Sequence, residues 1–327
     1  MQTLSQQLVE EWINTHSTGK FHYRNVCNGT IQPSSYGHLR VIIHRLVEMG
    51  KIRPIGERDG WYEKICSIQP VRWWEVDENV KFDLSFPRSY YDDACFSFAD
   101  KINIAPGDLI VLAGTSNAGK TTLALNFLAE NIDKDYKCVL MGNEYVSLNN
   151  MPSPRFKKRL SAMNWVKWFD ENLKPKFELL PVQDNFENYI QKDKLNIIDW
   201  IYLPDNVYMV GKVLQDIKGR LGKGVGIAVL QKASNRDLGV GGQFTEYRAD
   251  LYMSVDILRG WESRLTLGKV KDSTVPLSGM SWAFSIEEGA KLANIREVKK
   301  CHKCNAFGKR FGKTCDTCHG NGWVSEA

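Results

Sequence analysis

The sequence predicts an α/β fold with a mostly parallel sheet, flanked by two small modules. Three observations carry this. From Ile102 to about Ile286, β-rich apolar runs alternate with helical stretches. One such run passes through a glycine-rich loop into a helix. Four of the eight cysteines crowd into the last 27 residues. With 327 residues, the chain can bury a full core and still supply further modules.

The expected divisions are a winged helix-turn-helix over 1–66, a linker packed on the core over 67–100, the core over 101–290 and a cysteine module over 297–327. In the first of these, Leu8, Trp12 and Ile13 share a helix face. Ser34 or Ser35 caps a later helix, Leu39, Ile42, Ile43 and Leu46 give it an apolar stripe, and Gly50 stops it. A short helix is expected between these two. Two short runs around Glu57-Arg58-Asp59-Gly60 read as a hairpin. On this reading His38, Arg40 and Arg45 face a DNA groove, with Arg53 or Arg58 on the wing. A protein-contact or capping role for the module is the competing reading. Residues 67–101 are acidic and aromatic without clear periodicity.

Composition sets outer limits. The chain is 43% hydrophobic and 25% charged, and no apolar run approaches the roughly 20 residues that span a bilayer. The opening MQTLSQQLVEEWINTH is acidic and amphipathic, unlike an export signal, so a cytoplasmic location is expected. The net charge is +5, and from Lys291 onward eight Lys/Arg stand against three Asp/Glu. That asymmetry permits a nucleic-acid partner.

The strand Asp108-Leu-Ile-Val-Leu-Ala113 enters Gly114-Thr115-Ser116-Asn117-Ala118-Gly119-Lys120-Thr121, and a helix opens at Thr122. This G-x-x-x-x-G-K-[ST] pattern in strand-loop-helix context cradles phosphate with inward backbone N–H groups and a helix N-terminus. Lys120 would reach the β- and γ-phosphates, and the Thr121 hydroxyl would ligate Mg²⁺. Three later strand ends supply what hydrolysis needs. Glu144, after Lys137-Cys-Val-Leu-Met-Gly-Asn, can orient the attacking water. Asp199 closes Leu195-Asn-Ile-Ile-Asp and can hold the metal, although Asn196 interrupts the apolar run. Gln231 ends Val225-Gly-Ile-Ala-Val-Leu-Gln and can bond the γ-phosphate.

GTSNAGKTT, MGNEYVS, NIIDW, AVLQK, RDLGVGGQFTEYRADLYMSVDI and LTLGKVKD, in this order, resemble the RecA/DnaB superfamily of P-loop ATPases, notably the short ATPases of phages and mobile elements. The resemblance covers about Phe96 to Ile286. It implies a RecA-like core using ATP and Mg²⁺, with Glu144 as catalytic base, Asp199 as Walker B residue and Gln231 as sensor. It further implies a loop over 234–245 that contacts single-stranded DNA, including Arg236, Gly241 and Gly242. The double glycine suits a mobile segment. The family completes its site with a cation from a neighbouring subunit in a hexameric ring or filament, here Lys271 of Gly268-Lys269-Val-Lys271. Lys-x-Lys departs from the Lys-x-Arg of DnaB-type proteins and lacks bidentate geometry. The absence of an N-K-x-D guanine motif agrees with ATP. A helicase or recombination motor is implied, with a nucleotide-switched regulatory ATPase or helicase loader as alternative. Met151–Leu160 is a basic stretch read as a solvated helix face.

Cys301-x₂-Cys304 and Cys315-x₂-Cys318, ten residues apart, have the spacing of a structural four-cysteine Zn²⁺ site. His302 or His319 could replace a thiol. Gly308, Gly312, Gly320 and Gly322 suit tight knuckles. The second knuckle is similar to the C-x-x-C-x-G-x-G of the DnaJ cysteine-rich domain.

Overall fold

The computed structural model describes residues 4–16, 19–26, 33–56, 60–65, 72–75, 77–142, 144–146, 151–203, 207–234 and 236–325. The chain forms two compact units that divide between Asp77 and Glu78.

In the first unit, helix α1 (Gln6–His16) precedes strand β1 (Lys20–His22), helix α2 (Tyr36–Glu48), β2 (Ile52–Pro54) and β3 (Trp61–Lys64). The strands form an antiparallel sheet in the order β1-β3-β2. The expected hairpin is present, with Arg53 opposite Glu63, while its turn residues 57–59, Arg58 among them, lie outside the described residues. Where a short middle helix was expected, the described residues carry β1 and the 3₁₀ turns Tyr23–Asn25 and Pro33–Ser35. Residues 27–32 lie outside the described set. Leu39, Ile42, Ile43 and Leu46 bury the α2 stripe against Val9, Ile13 and Phe21. Ser35 stands at the α2 N-cap but makes no side-chain cap bond. Gly50 ends the helix at φ 66°, and the Lys51 N–H reaches the Leu46 carbonyl at 2.9 Å, a Schellman closure.

The second unit runs β4 (Leu109–Gly114), α3 (Lys120–Asn131), β5 (Cys138–Met141), α4 (Pro154–Ala162), β6 (Phe177–Leu180), β7 (Leu195–Ile201), α5 (Val210–Lys218), β8 (Val225–Gln231) and α6 (Gln243–Tyr247). It continues with β9 (Leu251–Arg259), β10 (Glu262–Val270), β11 (Ser281–Glu287), β12 (Lys291–Lys300), β13 (Lys309–Arg310), β14 (Lys313–Thr314) and β15 (Trp323–Ser325). Ten strands form one sheet, ordered β15-β12-β11-β10-β9-β4-β8-β7-β5-β6. From β9 to β6 it is parallel, and from β10 to β15 it is antiparallel. The fold is therefore α/β with a mostly parallel centre, as the alternation implied.

Strand β4 is buried on both faces because it lies mid-sheet. Its period of two sends Ile110 and Leu112 into one core and Leu109, Val111 and Ala113 into the other. Asn196 does not disturb β7, since it pairs with Val139 and Gly226 in register. Its fully buried amide donates to the Gln191 carbonyl at 2.8 Å and accepts from the Gln191 N–H at 2.9 Å, stapling the turn before the strand.

Phe86, Phe96 and Phe98, in the segment expected to pack on the core, are buried members of the main core. The expected start of the cysteine module at 297 falls inside β12, and β15 pairs back on that strand, Lys299 opposite Val324. The cysteine segment thus grows out of the core sheet.

Candidate nucleotide site and four-cysteine centre

Parallel strands end together at one edge of the sheet, and side chains at or near those ends meet there. β4 delivers the glycine-rich loop, β5 delivers Glu144, β7 delivers Asp199, and β8 delivers Gln231. Glu144 and Gln231 line a cleft of about 760 Å³ that Ser116, Asn117, Gly119, Lys120, Thr121 and Thr122 line from the loop side, while Asp199 lies buried beside Thr121 and Lys120 without lining it. Gly114, Thr115 and Ala118 shape the loop without lining the cleft. A Cβ on Gly114 would stand 2.9 Å from the Val255 carbonyl oxygen, and Gly119 turns the chain into α3 at φ 92°. The Thr122 hydroxyl donates to the Gly289 carbonyl at 3.1 Å, so it ties a neighbouring turn to the helix.

Lys120 Nζ donates to the Thr115 carbonyl at 2.8 Å, across the loop. Burial pulls its ammonium below the ordinary lysine range, while Asp199 and Glu144 act to hold it up. Asp199 is fully buried. Burial pushes its carboxyl up, against hydrogen bonds donated by the Tyr145 and Thr121 hydroxyls and the charge of Lys120. Its Oδ1 has no hydrogen-bond partner among the described residues. A buried carboxylate oxygen left open beside a threonine hydroxyl is a donor set that fits a hard, oxygen-seeking cation such as Mg²⁺.

Glu144 Oε1 accepts from Trp200 Nε1 at 3.0 Å, so the residue after Asp199 orients the candidate base. Gln231 Nε2 donates to Ser116 Oγ at 2.9 Å, joining the β8 end to the phosphate loop. Gly142 allows this convergence: a Cβ there would lie 2.0 Å from the Asp199 carbonyl oxygen. Gly142→Ala is expected to destabilise the protein by about 1–3 kcal/mol. Thermal unfolding checks this, and an unchanged midpoint would mean that the loop yields without cost.

Sequence reasoning missed several groups. Tyr145 packs under Asp199 and Trp200 positions Glu144, and neither carries a spacing signal. Arg159, read as part of a solvated basic face, lines the cleft from α4. The tip of the β9–β10 hairpin roofs the cleft with Gly260, Trp261, Glu262 and Ser263, Trp261 being 90% exposed.

Other expected residues lie elsewhere. Lys271 is at the opposite end of the sheet, a strand length of about 17–20 Å from the loop. Its Nζ donates to Asp250 Oδ1 at 2.9 Å, and Asp250 also binds Lys218 and the Leu109 N–H at the start of β4. It does not enter the cleft of its own chain. Arg236 is exposed beside a cavity that Gly241 and Gly242 also line. Gly241 is not free of constraint as expected: a Cβ would lie 2.3 Å from Val210 Cγ1, so the glycine serves close packing on α5. In the first unit His38 and Arg45 are exposed on α2. Arg40 is exposed as well, and its Nη2 donates to the Tyr23 hydroxyl at 2.8 Å, while Arg53 pairs with Glu63 at 2.7 Å.

The four cysteines converge, with all sulfurs within 4.8 Å of one another. Cys301 and Cys315 Sγ are 3.8 Å apart and Cys304 and Cys318 Sγ 3.5 Å. Zn–S bonds of about 2.3 Å place tetrahedral sulfurs about 3.8 Å apart, so the set fits Zn²⁺. Neither His302 nor His319 belongs to the cluster among the described residues. The Gly322 N–H donates to Cys318 Sγ at 3.2 Å, and backbone N–H groups of Cys318 and Thr317 help lower the Cys315 thiol to about 7.

No protein-family model and no curated protein matches the chain. Among solved structures it is similar to the RadB recombinase, with 18% identity and a TM-score of 0.41 over 58% of this chain and 91% of that one. It is also similar to the KaiC-like protein PH0186 from Pyrococcus horikoshii OT3, with 16% identity and a TM-score of 0.45 over 65% of this chain and 99% of that one.

Proposed function

We propose that the chain is an ATP hydrolase of the RecA/DnaB type that couples turnover to work on single-stranded DNA. The observation that carries this is the meeting of Lys120, Thr121, Glu144 and Gln231 around one cleft, with Asp199 buried behind it against Thr121 and Lys120. Lys120 and the N–H groups of the loop would bind the phosphates. Thr121 and Asp199 would hold Mg²⁺, which when bound neutralises phosphate charge. Glu144, held by Trp200, takes the proton of the attacking water. Gln231 exchanges its bond to Ser116 for one to the γ-phosphate and so reports nucleotide state to the segment over 234–245, where Arg236, Gly241 and Gly242 contact DNA. Lys271 acts on a neighbouring subunit in a ring or filament, either as a helicase or as a recombination motor.

One observation favours a second reading. Lys271 is already paired with Asp250, which suits slow turnover in a nucleotide-switched regulatory ATPase or helicase loader whose first unit binds DNA or a protein.

The test is steady-state ATP hydrolysis by the wild type and Lys120→Ala, with and without single-stranded DNA. Lys120→Ala is expected to lose about 100-fold or more in rate. DNA is expected to raise the wild-type rate at least about tenfold, roughly 1.4 kcal/mol of barrier. Equal rates for both proteins would sink the ATPase reading. Hydrolysis indifferent to DNA would select the switch.

A further inference from the structure

Between Cys304 and Cys315 the chain projects a small hairpin, β13 and β14, paired Lys309 to Thr314 and Arg310 to Lys313. Its two-residue turn is Phe311-Gly312, with φ of 49° and 76°. Such a turn needs positive φ at both positions and favours Asn-Gly. A phenylalanine there is strained and gains nothing from burial, because Phe311 is 90% exposed. Phe307, just before β13, is 81% exposed. Two bare aromatic rings on one small projection contradict what folding alone would select.

Their surroundings are cationic. Lys309, Arg310 and Lys313 are exposed on the hairpin, and the Arg310 guanidinium lies 5.2 Å from the Phe311 ring centre. From 299 to 325 six Lys/Arg stand against one acidic residue, Asp316, and that one is paired with Lys303 at 3.2 Å. Cations interleaved with exposed aromatic faces match a strand of phosphates carrying unstacked bases. A carboxylate-rich peptide would satisfy the charges and leave the rings without partners.

We infer that the β13–β14 hairpin is a binding surface for single-stranded nucleic acid, its bases stacking on Phe307 and Phe311 and its phosphates meeting Lys309, Arg310 and Lys313. This deepens the nucleic-acid side of the proposed function and does not depend on hydrolysis. The cysteine knuckles hold the hairpin: the Cys315 N–H donates to the Gly308 carbonyl at 2.9 Å, and a Cβ on Gly308 would lie 2.3 Å from the Gly320 carbonyl oxygen.

The experiment is fluorescence anisotropy of zinc-loaded full-length protein with labelled thymidine and uridine oligomers of about 12 nucleotides, within the usual span of such sites. The comparison proteins are Phe307→Ala/Phe311→Asn, Lys309→Ala/Lys313→Ala and Lys120→Ala. The aromatic variant is expected to bind about tenfold or more weakly, while its thermal midpoint holds or rises because Asn accepts the turn's φ. An abasic oligomer should bind wild type and aromatic variant alike. The lysine variant should flatten the dependence of log affinity on log salt by about 0.7 for each phosphate it no longer neutralises. Lys120→Ala should bind as wild type does, which separates this surface from the ATPase reading. The tighter of the two oligomers names the ligand. Equal affinity of wild type and aromatic variant, no binding by wild type, or equal competition by polyglutamate would overturn the proposal, the last marking an acidic protein as the occupant.

Discussion

Replacing Glu144 with glutamine is expected to lower ATP hydrolysis by about 10²–10⁴-fold and to leave nucleotide affinity within a fewfold of wild type. The carboxylate lines the same cleft as the phosphate loop, and its Oε1 accepts from the indole N–H of Trp200 at 3.0 Å. Gln keeps the shape and the acceptor for that indole, so orientation survives while the ability to take a proton is lost. Lys120, Thr121 and Asp199, which would bind nucleotide and metal, remain in place. Single-turnover hydrolysis alongside equilibrium binding of a fluorescent ATP analogue separates the two effects. A rate close to that of wild type would mean that water is activated by another group. A parallel loss of affinity would mean that Glu144 helps to hold the nucleotide.

How far the site is legible in the sequence follows from the physics of each part. A parallel sheet brings strand ends to one edge, so a polar residue at the end of each apolar run is legible: Glu144, Asp199 and Gln231 all meet the loop. The glycine-rich loop is legible because its spacing is a mechanical requirement. Trp200, Tyr145 and Arg159 are not, since their roles depend on side-chain direction across elements far apart in sequence. Gly241 misleads for a related reason: a glycine that permits motion and one that permits close approach look alike in sequence. Arg40 is a surface cation as read, but its bond to Tyr23, seventeen residues earlier, has no sequence signal. The middle helix expected in the first unit rests on local propensity, and β1 instead adds a third strand to the hairpin. The composition changes at the cysteines, whereas the backbone ladder of β12, which composition does not show, continues to Lys300.

Removing metal from the four-cysteine centre is expected to weaken nucleotide binding, although the cysteines lie outside the cleft. The hairpin between β9 and β10 roofs the cleft, and the cysteine segment holds it at two points. Arg259 Nη1 donates to the His319 carbonyl at 2.9 Å and to Asn321 Oδ1 at 3.1 Å. Arg264 lies 4.1 Å from the Trp323 ring centre and binds Asp256 at 3.0 Å, and Asp256 in turn holds the buried Lys232, the neighbour of Gln231. Structural Zn²⁺ sites contribute on the order of 10–16 kcal/mol of apparent binding energy, far more than the exposed polar bonds of a short knuckle can replace. Zn²⁺ held by the four cysteines would fix His319, Asn321 and Trp323, so that its removal would take outer support from the roof and from the Lys232–Asp256–Arg264 chain. We expect Cys315→Ser/Cys318→Ser, or exhaustive chelation, to weaken binding of a fluorescent ATP analogue by about tenfold, roughly 1.4 kcal/mol, and to lower the thermal midpoint. Arg259→Ala in zinc-replete protein should reproduce part of the affinity loss with the cysteine centre intact, as thiol titration would show. Unchanged nucleotide affinity in the metal-free protein would mean that the roof stands on the core sheet alone.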